Sequence, residues 1–148
     1  SGRLAIDFGT SNTVIALWDA SSRQGIPLHL PGYARVEQQG SEPVAVVPSV
    51  IHYGTSGQRT VANEVLAGNL YHSPQTFRWM KRYIMQRNPT RQRVHDREIS
   101  YAEAGSDFLA HVISRTREHA GLDGEEVAST VPVESFEHYV NWLAKVLG

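Results

Sequence analysis

The chain contains no cysteine, which excludes disulfides and thiolate metal sites. It also lacks charge imbalance: 14 basic and 15 acidic residues leave a formal net charge of -1. Nothing global therefore draws it to nucleic acid or to an anionic membrane. No apolar run approaches the ~20 residues of a membrane span, and no secretory leader pattern is visible. Cytoplasmic location is the expectation. Internal repeats and low-complexity tracts are missing as well. What is present is ordinary for a globular protein: 148 residues, 41% hydrophobic and 20% charged, enough for one domain with a real core.

The most informative stretch is Asp7 to Thr13, DFGTSNT. It leaves the apolar run Leu4-Ala5-Ile6 and enters a second one, Val14-Ile15-Ala16-Leu17-Trp18, as a strand, a tight polar turn and a returning strand. Gly9 has no side chain, so the backbone there is free to take a positive φ and to let an anionic oxygen approach. Thr10, Ser11, Asn12 and Thr13 add hydroxyl, amide and backbone N–H donors, and successive N–H groups in a turn form a concave anion site. Phosphate is the natural guest. Asp7 is excluded as a direct phosphate ligand by charge, but its carboxylate suits a hydrated Mg²⁺ bridging to the phosphates. An ordinary β-hairpin turn uses the same residue types, so the turn alone leaves both readings open.

Four stretches, in order, resemble one family. Residues 4 to 18, LAIDFGTSNTVIALW, are similar to the first phosphate loop of the actin, sugar-kinase and DnaK-type heat-shock chaperone superfamily, whose chaperone branch reads IGIDLGTTNS. Pro48-Ser49-Val50-Ile51 resembles its TPS-plus-apolar strand, and Gln75 to Ile84 resembles its helix with KR at the same offset. Thr130-Val131-Pro132-Val133 resembles its TVPA turn. The resemblance implies an α/β fold, a ribonuclease-H-like, actin-like ATPase subdomain with a mixed sheet and flanking helices. Residues 1 to about 47 and about 100 to 148 would form the base, and 48–99 a small inserted upper subdomain. It implies ATP and Mg²⁺ as ligands, with Gly9, Thr10, Ser11 and Asn12 cradling the β- and γ-phosphates, and Asp7 orienting Mg²⁺ through water. Lys81 would stand near the γ-phosphate and attacking water, where a cation stabilises charge on the transferring phosphoryl group.

The chain departs from that family in two places. The segment between Ile84 and Glu103 is shorter than the family's, so the upper subdomain looks trimmed. A second phosphate loop, the adenosine-binding residues and a substrate-binding domain have no counterpart, which makes an N-terminal piece of a longer protein the expectation. Such a piece would have little ATPase activity alone. In the longer protein, unfolded polypeptide and co-chaperones are the implied partners. An actin-like filament ATPase, a sugar or acid kinase lobe, and a degenerate non-hydrolysing regulator stay open as alternatives.

Local patterns predict the elements. Leu4 to Phe8, Thr13 to Trp18 and Ile26 to Leu30 read as strands, Ala34 to Pro43 as a polar loop, and Val44 to Val47 and Ser49 to Tyr53 as extended. Val61 to Leu70 and a segment from about Pro74 to Met85 read as helices, and Arg87 to Glu98 as a surface loop interrupted by Pro89. Leu109, Val112, Ile113, Thr116 and Ala120 form a helical stripe that Gly121 closes. Val127 to Val133 reads as a strand, and Phe136 to Leu147 as a last helix ending at Gly148.

Other residue groups point less clearly to chemistry. Arg78, Lys81, Arg82, Arg87, Arg91, Arg93 and Arg97 supply half of the 14 basic residues within one segment. They suit an acidic partner, but a solvated basic loop has the same composition, and nucleic acid is not expected. The seven histidines show no zinc spacing. No G-x-S-x-G elbow supports a nucleophilic hydrolase. Trp18, Trp79 and Trp142 lie within or beside apolar patterns and are expected in the core.

Overall fold

A computed structural model describes residues 3–19, 21–87, 89–121, 127–129 and 137–148. In chain order the first half forms β1 (Arg3–Phe8), β2 (Asn12–Asp19), β3 (Gln24–Pro27), β4 (Arg35–Gln39) and β5 (Glu42–Pro48). Then come β6 (Ile51–Tyr53), β7 (Arg59–Val61), α1 (Asn63–Ala67), β8 (Thr76–Phe77) and α2 (Met80–Met85). The chain continues through β9 (Arg91–Val94), β10 (Arg97–Ser100), α3 (Tyr101–Ala120), β11 (Val127–Ser129) and α4 (Glu137–Leu147). The architecture is mixed α/β, with most strand pairs antiparallel.

The largest sheet has the order β11-β1-β2-β5-β4, with β3 also on β2. β1 pairs antiparallel with β2 along its whole length and parallel with β11. The other edge of β2 is shared: Ala16 to Asp19 pair with β3, and Asn12 and Thr13 pair with Pro48 and Val47 of β5. Strand alternation decides which side chains enter the core. Leu4, Ile6 and Phe8 are buried beside Ile15 and Thr13 of β2, whereas Arg3 and Asp7 face outward.

α3 covers the apolar face. Its buried residues include Ala104, Phe108, Leu109, Val112 and Thr116, the spacing of one helical stripe. Ser100 caps its start by accepting from the Glu103 N–H at 3.1 Å, and Gly121 at φ 67° ends it. Phe8 stacks obliquely on Phe108 and on Trp142 of α4, with ring centroids 6.1 and 5.9 Å apart. Gly105 permits this convergence. A Cβ there would lie 3.0 Å from both Ile84 Cδ1 and Trp142 Cζ2, so a side chain would push α2 and α4 away from α3.

The smaller region consists of the β7-β6-β8 sheet, the β9–β10 hairpin and the helices α1 and α2. Tyr53, Phe77, Tyr101 and Tyr83 form a continuous aromatic row, the last pair stacked at 4.1 Å. Polar bonds tie the row down: Tyr53 donates to Asp107 Oδ2 at 2.7 Å, and Gln92 donates to the Tyr101 hydroxyl at 2.8 Å.

Several expectations are corrected. The segment Ala34 to Pro43 contains β4 and a tight hairpin turn at Gly40, whose φ is 64°. Its polar side chains suit an edge strand with one face in water. Arg87 to Glu98 carries the β9–β10 hairpin, in which only Val94 and Ile99 supply apolar anchors, with Ile99 set opposite the half-buried Gln92. The third strand is Gln24–Pro27, earlier than Ile26 to Leu30: the Leu28 N–H still bonds Ile15 O, its register partner on β2, and beyond it the chain turns so that Leu30 enters the core. The two helices expected between Val61 and Met85 shrink to α1 and α2, since Val61 and Thr76–Phe77 join the small sheet. Trp18 and Trp79 are each 39% exposed, and only Trp142 packs against the core. Residues 130–133, which carry the Thr-Val-Pro turn, and Phe136 lie outside the described residues.

Candidate functional site

The β1–β2 turn sits at the surface end of a buried hairpin. Gly9, Thr10 and Asn12 are half-buried and Ser11 is exposed, so the turn's donors reach solvent while Phe8 and Thr13 anchor it from below. The expected reason for Gly9 needs correction. Its φ is not in the left-handed region; what excludes a side chain is space, because a Cβ would lie 2.3 Å from Asn12 O. The turn is folded so tightly on itself that only glycine fits.

The turn is braced from β5. Thr13 Oγ1 and Ser49 Oγ are 2.8 Å apart and buried, and the Ser49 N–H donates to Ser11 O at 3.0 Å. Ser11 O is thereby held by the brace. Two sequence motifs, the DFGTSNT turn and Pro48-Ser49, are thus one structural unit. A second brace was not legible in the sequence, because it comes from β4. Asn12 Nδ2 donates to Glu37 Oε2 at 3.4 Å, and Glu37 Oε1 accepts from Arg35 at 2.6 Å.

Asp7 is exposed on the outer face of β1, one residue before the turn. Lys81, from the first turn of α2, is half-buried. Burial pushes the Lys81 ammonium below the usual lysine range, and the Asp7 carboxylate acts against that by attraction. The two residues singled out from different motifs therefore lie within electrostatic reach of each other.

α2 is set in place with strain. Its N-cap is Trp79, at φ 56° and ψ 34°, a left-handed conformation that costs a bulky residue about 1–2 kcal/mol. The guanidinium of Arg78 lies 5.2 Å from the Tyr71 ring centroid and 5.3 Å from that of Trp79, and it donates to Tyr71 O. These contacts fix the turn that delivers Lys81. Sequence offers no signal for a tryptophan in this conformation.

The basic segment is not gathered into one patch. Arg78 is folded over its aromatic neighbours, Arg97 is ion-paired with Glu103, and Glu98 stands across the hairpin from Arg93. Charge of both signs alternates there. Among the described residues no group of three or more His, Cys, Asp or Glu side chains is placed to hold a metal ion by itself. His52 instead bonds Thr76 at 2.9 Å, His111 bonds Asp107 O at 2.9 Å, and His95 bonds Tyr53 O at 3.2 Å. Asp7 alone is the carboxylate at the turn's strand end, which suits a magnesium ion that keeps its waters and takes its other ligands from phosphates. Among the described residues no helix is long and apolar enough to cross a membrane. Compared with known proteins, the chain matches no protein-family model and no curated protein sequence.

Proposed function

We propose that this chain forms the phosphate-binding half of a MgATP site, in the N-terminal ATPase lobe of a DnaK-like chaperone with a ribonuclease-H-like fold. The observation that carries the proposal is the braced DFGTSNT turn, held by the 2.8 Å Thr13–Ser49 contact and the Ser49 N–H bond to Ser11 O, with Asp7 at its strand end within electrostatic reach of Lys81. The mixed sheet with helices on it supports the same reading.

In this reading Gly9, Thr10, Ser11 and Asn12 receive the β- and γ-phosphates. The turn is braced from within the chain by Ser49 and Glu37, which limits the ordering cost of binding. Asp7 would hold Mg²⁺ through the ion's waters, and the ion would offset charge on the phosphates. Lys81 would stand at the γ-phosphoryl oxygens, whose charge grows in the transition state. A longer protein would supply the opposing lobe, couple hydrolysis to lobe movement, and act in the cytoplasm on unfolded polypeptide with co-chaperones.

Titration of isotope-labelled 148-residue chain with millimolar MgATP tests this. Expected are shifts of the amide resonances of residues 9–13 and of the Lys81 side chain, weakened by Asp7→Asn. Shifts scattered elsewhere, or none, would overturn the proposal. In an intact ATPase, Lys81→Ala is expected to lower kcat by about 10²–10³ with a smaller change in KM.

A further inference from the structure

Among the described residues the large sheet ends on β4, whose outer edge has no strand beside it. Natural edges are blunted by proline, lysine, bulges or shortness. β11 is three residues long, and β3 carries Gly25 and Pro27. β4, Arg35-Val36-Glu37-Gln38-Gln39, is five residues long and has neither proline nor lysine; its two charges, Arg35 and Glu37, are of opposite sign and pair with each other. It also carries Val36, at 58% the most exposed large apolar residue among those described.

We infer that β4 pairs antiparallel with β4 of a second copy of this chain, about a two-fold axis at Val36. A two-fold pairing is defined by the residue on its axis, and the charges choose among the options. An axis at Glu37 or at Arg35 sets like charges directly opposite each other, which is destabilising. An axis at Gln38 leaves Glu37 opposite Gln39 and Arg35 beyond the ladder. Only the axis at Val36 sets Arg35 of each copy opposite Glu37 of the other, with Val36 against Val36 on the reverse face. Arg35 and Glu37 already share a face and an ion pair at 2.6 Å within one copy. The pairing extends that pair into an alternating row of four charges.

The apolar side fits as well. Val36 lies opposite Ala45 of β5, which packs against the core cluster. Pairing therefore continues an Ala45–Val36 strip across the axis into its symmetry mate. The backbone imposes no conflict, since an antiparallel two-fold passes through either a hydrogen-bonded or a non-hydrogen-bonded residue pair. A five-residue ladder buries less than the ~1,600 Å² of a standard interface, so the association is expected to be weak and reversible.

Sedimentation equilibrium of the 148-residue chain decides the matter, over a range from about 10 μM to about 1 mM that suits a small interface. The apparent mass is expected to rise from one chain toward two. Val36→Lys should weaken association at least about tenfold, by burying two unpaired ammonium groups at the axis. Arg35→Glu and Glu37→Arg should each do the same, because one substitution makes both cross-copy pairs repulsive. An equimolar mixture of the Arg35→Glu and Glu37→Arg chains should regain association, since the acidic edge of one now meets the basic edge of the other. All three positions are exposed or at the edge, and far-UV circular dichroism checks that each variant is folded. A chain that stays monomeric throughout, or an association indifferent to these changes and to mixing, would overturn the inference.

Discussion

In the large sheet, Leu4, Ile6, Phe8 and Ile15 are at most 1% exposed, and Ile6, Phe8 and Ile15 share one core cluster with Phe108 and Leu109. In residues 51–100 the strands are two to four residues long, and the contacts that join them are aromatic edges and single hydrogen bonds. Strain divides the same way. Among the described residues six non-glycine residues have positive φ; Ala62, Asn69, Trp79, Arg87 and His95 lie in the smaller region and Arg23 in the larger. Burial is non-directional and accumulates over area, whereas a hydrogen bond or a strained turn depends on one geometry. The candidate site draws on both regions. The DFGTSNT turn and Asp7 rest on the well-buried sheet, and Lys81 hangs from the strained region.

Four substitutions or conditions break or sharpen this contrast, in descending order of effect. Phe8→Ala should cost about 3–5 kcal/mol in urea denaturation, because the ring is fully buried between Phe108 and Trp142. A loss below about 1 kcal/mol would mean that the sheet does not depend on its apolar core. Gly9→Ala should cost about 1–3 kcal/mol and abolish the MgATP-induced shifts, since the methyl meets Asn12 O at 2.3 Å. Retained shifts would show that the turn has slack.

Tyr53→Phe should cost about 1 kcal/mol, the worth of one hydrogen bond, with Asp107 still 3.5 Å from Arg59. The Tyr53 hydroxyl is held far above the ordinary tyrosine range by burial and then by Asp107, so the change should also remove a group that stays protonated at all working pH. The smallest effect concerns His52. Burial, then the nearby His95, lowers its pKa from the ordinary 6.5, so the unfolded chain binds the extra proton. The stability this confers is complete above pH 6.5 and is lost as pH falls through the lowered folded value. Thermal melts of wild type and His52→Gln should diverge only below that pH, and parallel curves would remove His52 from the balance.

Sequence made the sheet legible where patterns were apolar and periodic. The alternation of β1 and β2, the α3 stripe with its Gly121 stop, and the final helix all follow from burial at fixed spacing. β4 and the β9–β10 hairpin were hidden because edge strands with a solvated face need few apolar residues. In the candidate site, motif reading singled out Asp7, the turn and Lys81, and the structure puts Lys81 within electrostatic reach of Asp7. Motif reading missed Glu37, whose contact with Asn12 depends on a hairpin pairing, and the left-handed Trp79, which tertiary packing imposes against local preference. It also gave Gly9 the wrong physical reason. Contact between distant elements is a property of the folded chain, and no local window contains it.

Asp7 and Phe8 are adjacent in the chain and point to opposite faces of β1. The carboxylate is therefore mechanically part of the core: it has no hinge of its own between its Cα and a fully buried ring. Its amide should exchange with solvent only when the whole sheet opens, on the slow timescale of global unfolding. Were a nucleotide bound as proposed, Asp7 would be the fixed reference point, and the α2 segment carrying Lys81 would have to do the travelling.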